Sequence, residues 1–253
     1  MKTRSSRFAL ALALAAALCV PGAASACFDT YLFLERCSLV YPTGQMAVEA
    51  SGEYVMPALK DATGDILSGA TNLYYGFSER FSMQIGLSSS EKERSAFSLD
   101  GYGVRGVFGL VRAFRGVYHL DLVLEHAAPF DGTESGVEFS IPSIFHFERL
   151  SFIVHPVTSF GRNVDVGLRG HGGAFYRFSD TGIVGIGAEY ASAQSGSQFG
   201  RRLVNGEGAT SLFFGSRIGS AYLQNEFIKG WGKTGNDFGF AVTVKYLLPA
   251  PVR

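Results

Sequence analysis

The sequence is short of charge, of cysteine, of proline and of long apolar runs, and each shortage excludes a class of protein. Charged residues make up 17% of the 253 positions, 22 basic against 22 acidic. A nucleic-acid binder needs a basic face, which this balance does not supply, so no nucleic-acid partner is expected. A water-soluble helical domain would carry more charge. Three cysteines are too few for a disulfide-built scaffold. Beyond residue 26 no apolar run reaches the roughly 18 residues of a membrane helix. If this chain crosses a membrane it must do so as a closed barrel, which leaves no strand edge in lipid. What is abundant is glycine, at 32 residues, and aromatic side chains, at 13%.

Residues 1–26 read as a separate object, a secretory signal peptide. Lys2, Arg4 and Arg7 form a positive head, Phe8 to Val20 an apolar run, and Ala24-Ser25-Ala26 a small-residue cleavage site. Cleavage removes Cys19 and leaves Cys27 and Cys37 in an exported chain, where one disulfide between them is expected. Lipidation of Cys27 is the rival, weakened because Ala24 stands where such signals usually have leucine. Residues 27–44 then form an N-terminal periplasmic segment, 45–248 the main domain, and 249–253 a short tail.

The main domain alternates residue by residue, the signature of strands. From Phe238 to Leu248 the even positions read Phe, Phe, Val, Val, Tyr, Leu, and the odd ones include Gly239, Ala241, Thr243 and Lys245. From Val117 to Ala127, Tyr118, Leu120, Leu122 and Leu124 alternate with His119, Asp121, Val123 and Glu125. Twelve such segments are predicted, at 45–55, 66–77, 81–88, 99–111, 116–127, 136–146, 150–159, 163–177, 182–192, 206–217, 220–229 and 237–248. About 9–11 residues is the length that crosses a bilayer at a barrel's tilt. Every second connection is tight, as at Ser78 to Arg80, Phe147 to Arg149 and Ile218-Gly219. The others are mostly long and polar, as at Ser89 to Ser98 and Ala193 to Asn205.

Signal peptide, dyad strands and alternating turn lengths together resemble the outer-membrane β-barrels of the porin and transporter class. The resemblance covers nearly all of 45–248 and implies an all-β fold, a twelve-stranded antiparallel up-and-down transmembrane barrel in the cell outer membrane. It implies short turns and both termini in the periplasm, long loops outside, and outer-membrane lipid as a partner. One departure is the C-terminus. Such barrels commonly end on an aromatic residue, whereas here Tyr246 is followed by a tail. The soluble alternative, a sandwich or lipocalin-like barrel, needs more surface charge and fewer strands.

The dyad pattern sends one set of polar residues inward: Arg105, His119, Asp121, Glu125, Glu138, Asp165, Arg169, His171, Arg177, Glu189, Arg217 and Lys245 are the lumen-lining candidates. Glu49, Glu53, His146, His155 and Glu226 share that face. The opposite face is nearly free of charge, as lipid requires. Two readings of the lumen stay open: a path for small solutes lined by both signs, or charges that pair across the interior and close it. The histidines lack metal-ligand spacing, and no metal or cofactor is expected. Ser151 and His155 lie about 13 Å apart along a strand, whereas Ser151 and His146 face each other across a turn without an orienting acid. No catalytic residue is assigned, and no enzyme is expected. The apolar segment Cys27 to Tyr41 is a candidate plug for the periplasmic mouth. The leading function is a channel or transporter for small solutes. The alternatives are a closed structural barrel that binds a protein partner through outer loops such as 193–205, with Arg201-Arg202, and a barrel enzyme acting on lipid.

Overall fold

The structure, a computed structural model, describes residues 28–56, 65–93, 96–114, 116–131, 135–161, 164–191, 207–231 and 238–249. The expected signal peptide, Cys27, the loop 193–205 and residues 250–253 lie outside the described residues.

One short helix, α1 (Thr30–Leu34), precedes the strands β1 (Met46–Met56), β2 (Ile66–Ser78), β3 (Phe81–Glu93), β4 (Ala96–Phe114), β5 (Tyr118–Pro129), β6 (Gly136–Ser140), β7 (Ser143–Phe147), β8 (Leu150–Gly161), β9 (Val164–Ser179), β10 (Gly182–Ala191), β11 (Glu207–Ile218), β12 (Ala221–Trp231) and β13 (Phe238–Leu248). Each strand pairs antiparallel with its sequence neighbours, except that β6 and β7 both lie between β5 and β8. They are two halves of one stave. β1 pairs with β13 from Met46↔Leu248 to Met56↔Phe238, which closes the sheet. The result is a twelve-stave antiparallel barrel built from thirteen strand segments.

The expected strand 136–146 is thus broken, and the reason is Pro142. Proline has no N–H to give the ladder. The backbone still bonds across the break, with Asp121 N–H donating to the Pro142 carbonyl at 3.1 Å and Ile141 N–H to that of Pro156 at 3.3 Å. A second difference lies at the far end. β3 runs on to Glu93 and β4 starts at Ala96, so most of the long loop expected at Ser89 to Ser98 is a hairpin projecting beyond its neighbours. The other connections follow the predicted alternation, except that between β8 and β9, which spans only two residues on the long-loop side. At the tight turns Gly116 (φ 73) and Gly219 (φ 63) take the left-handed backbone that side chains resist.

Burial is the inverse of a water-soluble protein. The inward positions Glu49, Glu53, Asn72, Asp121, Glu125 and Lys245 are buried, whereas Val154 is 58% exposed and Ile186 62%. An apolar exterior around a polar interior is stable only when the surroundings are apolar. Aromatic pairs mark both ends of that exterior. Phe81 and Phe108 stack at 4.6 Å between ring centres near the tight turns, and Tyr190 and Trp231 at 5.7 Å near the far end. Aromatic side chains at both ends of the apolar band stand where a membrane barrel meets the headgroups. No helix among the described residues is long and apolar enough to cross a membrane. The strands do the crossing.

Candidate functional site

The segment ahead of β1 folds back into the barrel from the tight-turn end. Asp29 caps α1 by accepting from Tyr31 N–H at 2.9 Å, and all five helix residues are buried. A helix this short does not stand alone in water. What holds it is the wall. Phe28, Tyr31, Leu32, Phe33, Leu34 and Tyr41 form one apolar cluster with inward residues of the staves, among them Ile144, Ile153, Phe175, Ile183 and Phe213. Phe33 stacks on Phe175 at 3.9 Å, and Phe28 lies 5.3 Å from the same ring. Each ring so buried contributes about 1.5–3 kcal/mol.

The wall is shaped for the segment. Gly173 and Gly187 are partners in the β9–β10 register. A Cβ on either would run into the Phe28 ring, at 2.8 Å for Gly173, and one on Gly215 would meet Thr30. These glycines are the space that the plug occupies, a role their sequence context gave no sign of.

Polar contacts fix the plug at several heights. Leu39 N–H donates to Asp121 Oδ2 at 2.8 Å, and Thr30 N–H to Gln224 Oε1 at 3.3 Å. At the rim Glu35 Oε1 accepts from Arg217 Nη1 at 2.7 Å and from the Tyr222 hydroxyl at 2.6 Å. Lys245, fully buried on β13, pairs with Asp29 of the plug and with Glu49 Oε2 at 2.9 Å. Asn72 donates to the other oxygen of Glu49 at 2.8 Å, and the Lys245 ammonium lies 4.4 Å from the centre of the Tyr74 ring.

Deeper in the lumen, charges pair along one wall. Arg105 bonds Glu125 at 2.7 Å and Gln84 at 3.2 Å, Arg169 bonds Glu138 at 2.9 Å, and His171 lies 3.3 Å from Glu189. His155 meets Ser140 at 2.8 Å. A cavity between this wall and the plug holds about 50 Å³, room for only a few waters. Two other candidates stand at the rim: Arg177 donates to the Glu148 carbonyl at 3.3 Å, and Arg217 is held by Glu35. His119 accepts from Ala113 N–H at 3.3 Å, beside the His146 ring. Asp165 falls in β9, but its side chain lies outside the described residues.

Ser151 and His146, expected to face each other, are register partners bonded at 2.8 Å. His146 Nε2 lies 3.0 Å from the Cys37 carbonyl of the plug. A carbonyl only accepts, so Nε2 carries the proton and Nδ1 accepts from the Ser151 hydroxyl. Both side chains are buried beneath the plug, and the histidine ties the plug to the wall. Cys37 is a free thiol whose Sγ donates to the Leu32 carbonyl at 3.8 Å. Its expected disulfide partner, Cys27, lies outside the described residues. Burial, with help from the Asp29 carboxylate, pushes the Cys37 thiol well above the ordinary range.

No protein family and no curated protein matches the chain in sequence. Its fold is similar to solved outer-membrane porins and channels. An outer-membrane channel from Pseudomonas putida F1 aligns with a TM-score of 0.64 at 11% identity, covering 83% of this chain and 97% of its own. The KdgM porin, solved with disordered oligogalacturonate, aligns with a TM-score of 0.59 at 12% identity, covering 80% and 99%. The NanC porin gives 0.55 at 10%, covering 79% and 100%. At such identities the likeness is one of fold, and the fold is the porin-like barrel.

Proposed function

We propose that this chain is an outer-membrane channel for small polar or charged solutes, held closed by its own N-terminal segment. The observation that carries the reading is the glycine-shaped seat for Phe28 and Thr30. A wall cut to fit a plug is a wall built to be plugged. The porin-like fold supports a conduit, and the paired charges above the plug support a polar path once it is free. With a cavity of about 50 Å³ between plug and wall, passage requires the segment to leave. Outer-leaflet and periplasmic faces follow from the turn lengths, with the plug on the periplasmic side.

The second reading is a closed structural barrel, favoured by the density of lumen contacts. Planar-bilayer recording separates the two. The mature chain is expected to be mostly silent, and a chain lacking residues 28–41 to show discrete conductance steps. Heat-modifiable gel mobility confirms that each has folded. A folded, plug-less barrel with no conductance defeats the channel and leaves the structural reading. The lipid-enzyme reading has little support, because the Ser151–His146 pair is sealed from lipid by the wall and from the periplasm by the plug.

A further inference from the structure

The outward face of β9–β12 is not a uniform apolar surface. Gly172, Ala188, Thr210 and Lys229 are successive register partners, one row across four strands. The row toward the tight turns is Ala174, Ile186, Leu212 and Phe227, and the row toward the far end carries Tyr190 and Trp231. Gly172, Ala188 and Thr210 are small, and between Ile186, Leu212 and Phe227 on one side and Tyr190 and Trp231 on the other they leave a groove of about 630 Å³ on the exterior, lined mostly by apolar atoms. Lys229 closes one end, its ammonium 4.5 Å from the centre of the Phe238 ring.

A lysine on the lipid face is costly at the bilayer centre and nearly free at the interface. Lys229 stands two residues before Trp231, at the level of the aromatic girdle, so its charge reaches the headgroup layer. Apolar depression and interfacial cation are two halves of one ligand chemistry. We infer that this groove is a binding site for an anionic lipid of the surrounding leaflet, with an acyl chain over Ala188 and Thr210 and the phosphate beside Lys229. The inference rests on the chain being a membrane barrel, but not on its conducting.

Trp231 is the single tryptophan of the chain and stands beside the groove, so it reports occupancy directly. The mature protein is refolded into phosphatidylcholine vesicles containing a minority of either brominated phosphatidylglycerol or brominated phosphatidylcholine, and Trp231 fluorescence is read. Phosphatidylglycerol is expected to quench with an apparent affinity about fivefold higher, what one cation beside an anionic lipid supplies. Lys229→Gln should remove the preference while general quenching stays. Ala188→Phe, which fills the groove, should weaken quenching by both lipids. Equal quenching by the two lipids, or a preference that survives Lys229→Gln, overturns the site while leaving the membrane barrel intact. Absence of any quenching overturns the barrel reading as well. Disulfide-linked dimers formed through Ala188→Cys, with phosphatidylglycerol preference lost, would assign the groove to a second copy and overturn the lipid.

Discussion

Lys245, on the last strand, pairs with Asp29, in the segment ahead of the first, so the two ends of the described chain meet inside the barrel. The same ammonium holds Glu49 at 2.9 Å. Lys245→Met would leave Glu49 buried with its charge uncompensated, which costs about 3–5 kcal/mol. Chemical unfolding in detergent should show a loss of that size, with tryptic cleavage after Arg36 becoming fast. Adding Glu49→Gln to Lys245→Met should recover most of the stability, while cleavage after Arg36 stays fast because Asp29 still lacks its partner. Full stability in Lys245→Met alone would mean that the pair does not hold the plug.

The seat of Phe28 makes a second prediction. Gly187→Ala places a methyl where the ring sits, an overpacking that costs about 1–3 kcal/mol. Phe28→Ala empties the seat and costs about 3–5 kcal/mol. The two changes touch the same space, so they should not add. A double-mutant cycle is expected to give a coupling of about 1 kcal/mol or more, and simple additivity would show that Phe28 does not rest on Gly187.

The barrel was legible in the sequence because lipid leaves a signature at every second residue. Tyr118, Leu120, Leu122 and Leu124 against His119, Asp121 and Glu125 fix a register that a shift of one would invert. The break at Pro142 was readable in principle from proline's missing N–H, but the alternation on both sides ran through it. The hairpin of β3 and β4 was hidden because Ser88 to Ser90 and Glu91 to Glu93 have the polarity of a loop. Alternation names the residues of one face, but not their partners. Alternation gives a face and not a distance, so Arg169 with Glu138 could not be told from Arg169 with Glu125. The segment Cys27 to Tyr41 stood out in the sequence for its misplaced apolarity. Its seat did not, since a glycine that makes room and a glycine that lets a strand coil look alike in one dimension.

Cys37 offers a chemical readout of the plug. Its thiol is half-buried, desolvation and the Asp29 carboxylate favour its neutral form, and maleimide reacts through the thiolate. In reduced, folded protein at pH 8 its labelling should be at least about tenfold slower than in urea, and release of the plug by Lys245→Met should close most of that gap. The linkage has a definite sign. A thiol raised on folding favours the folded state fully below its unfolded value, about 8.5, and that contribution is lost as pH climbs past it. Plug stability should therefore fall above about pH 8.5, and Cys37→Ser should flatten that fall. A Cys27–Cys37 disulfide in exported protein would show as labelling that begins only after reductant.

The paired wall of the lumen predicts how an unplugged barrel selects ions. Arg105 with Glu125 and Arg169 with Glu138 cancel in charge but remain separate in position. A passing ion meets both signs at contact range, so weak selectivity is expected from the chain lacking residues 28–41. Removing one member of a pair exposes the other to the path. An uncompensated unit charge about 4 Å from an ion in water is worth roughly 1 kcal/mol, or about fivefold in relative permeability. In that background Glu138→Gln should move the reversal potential in a salt gradient toward anions, and Arg169→Gln toward cations by a similar amount. Shifts of the same sign from both substitutions would show that ions do not pass along this wall.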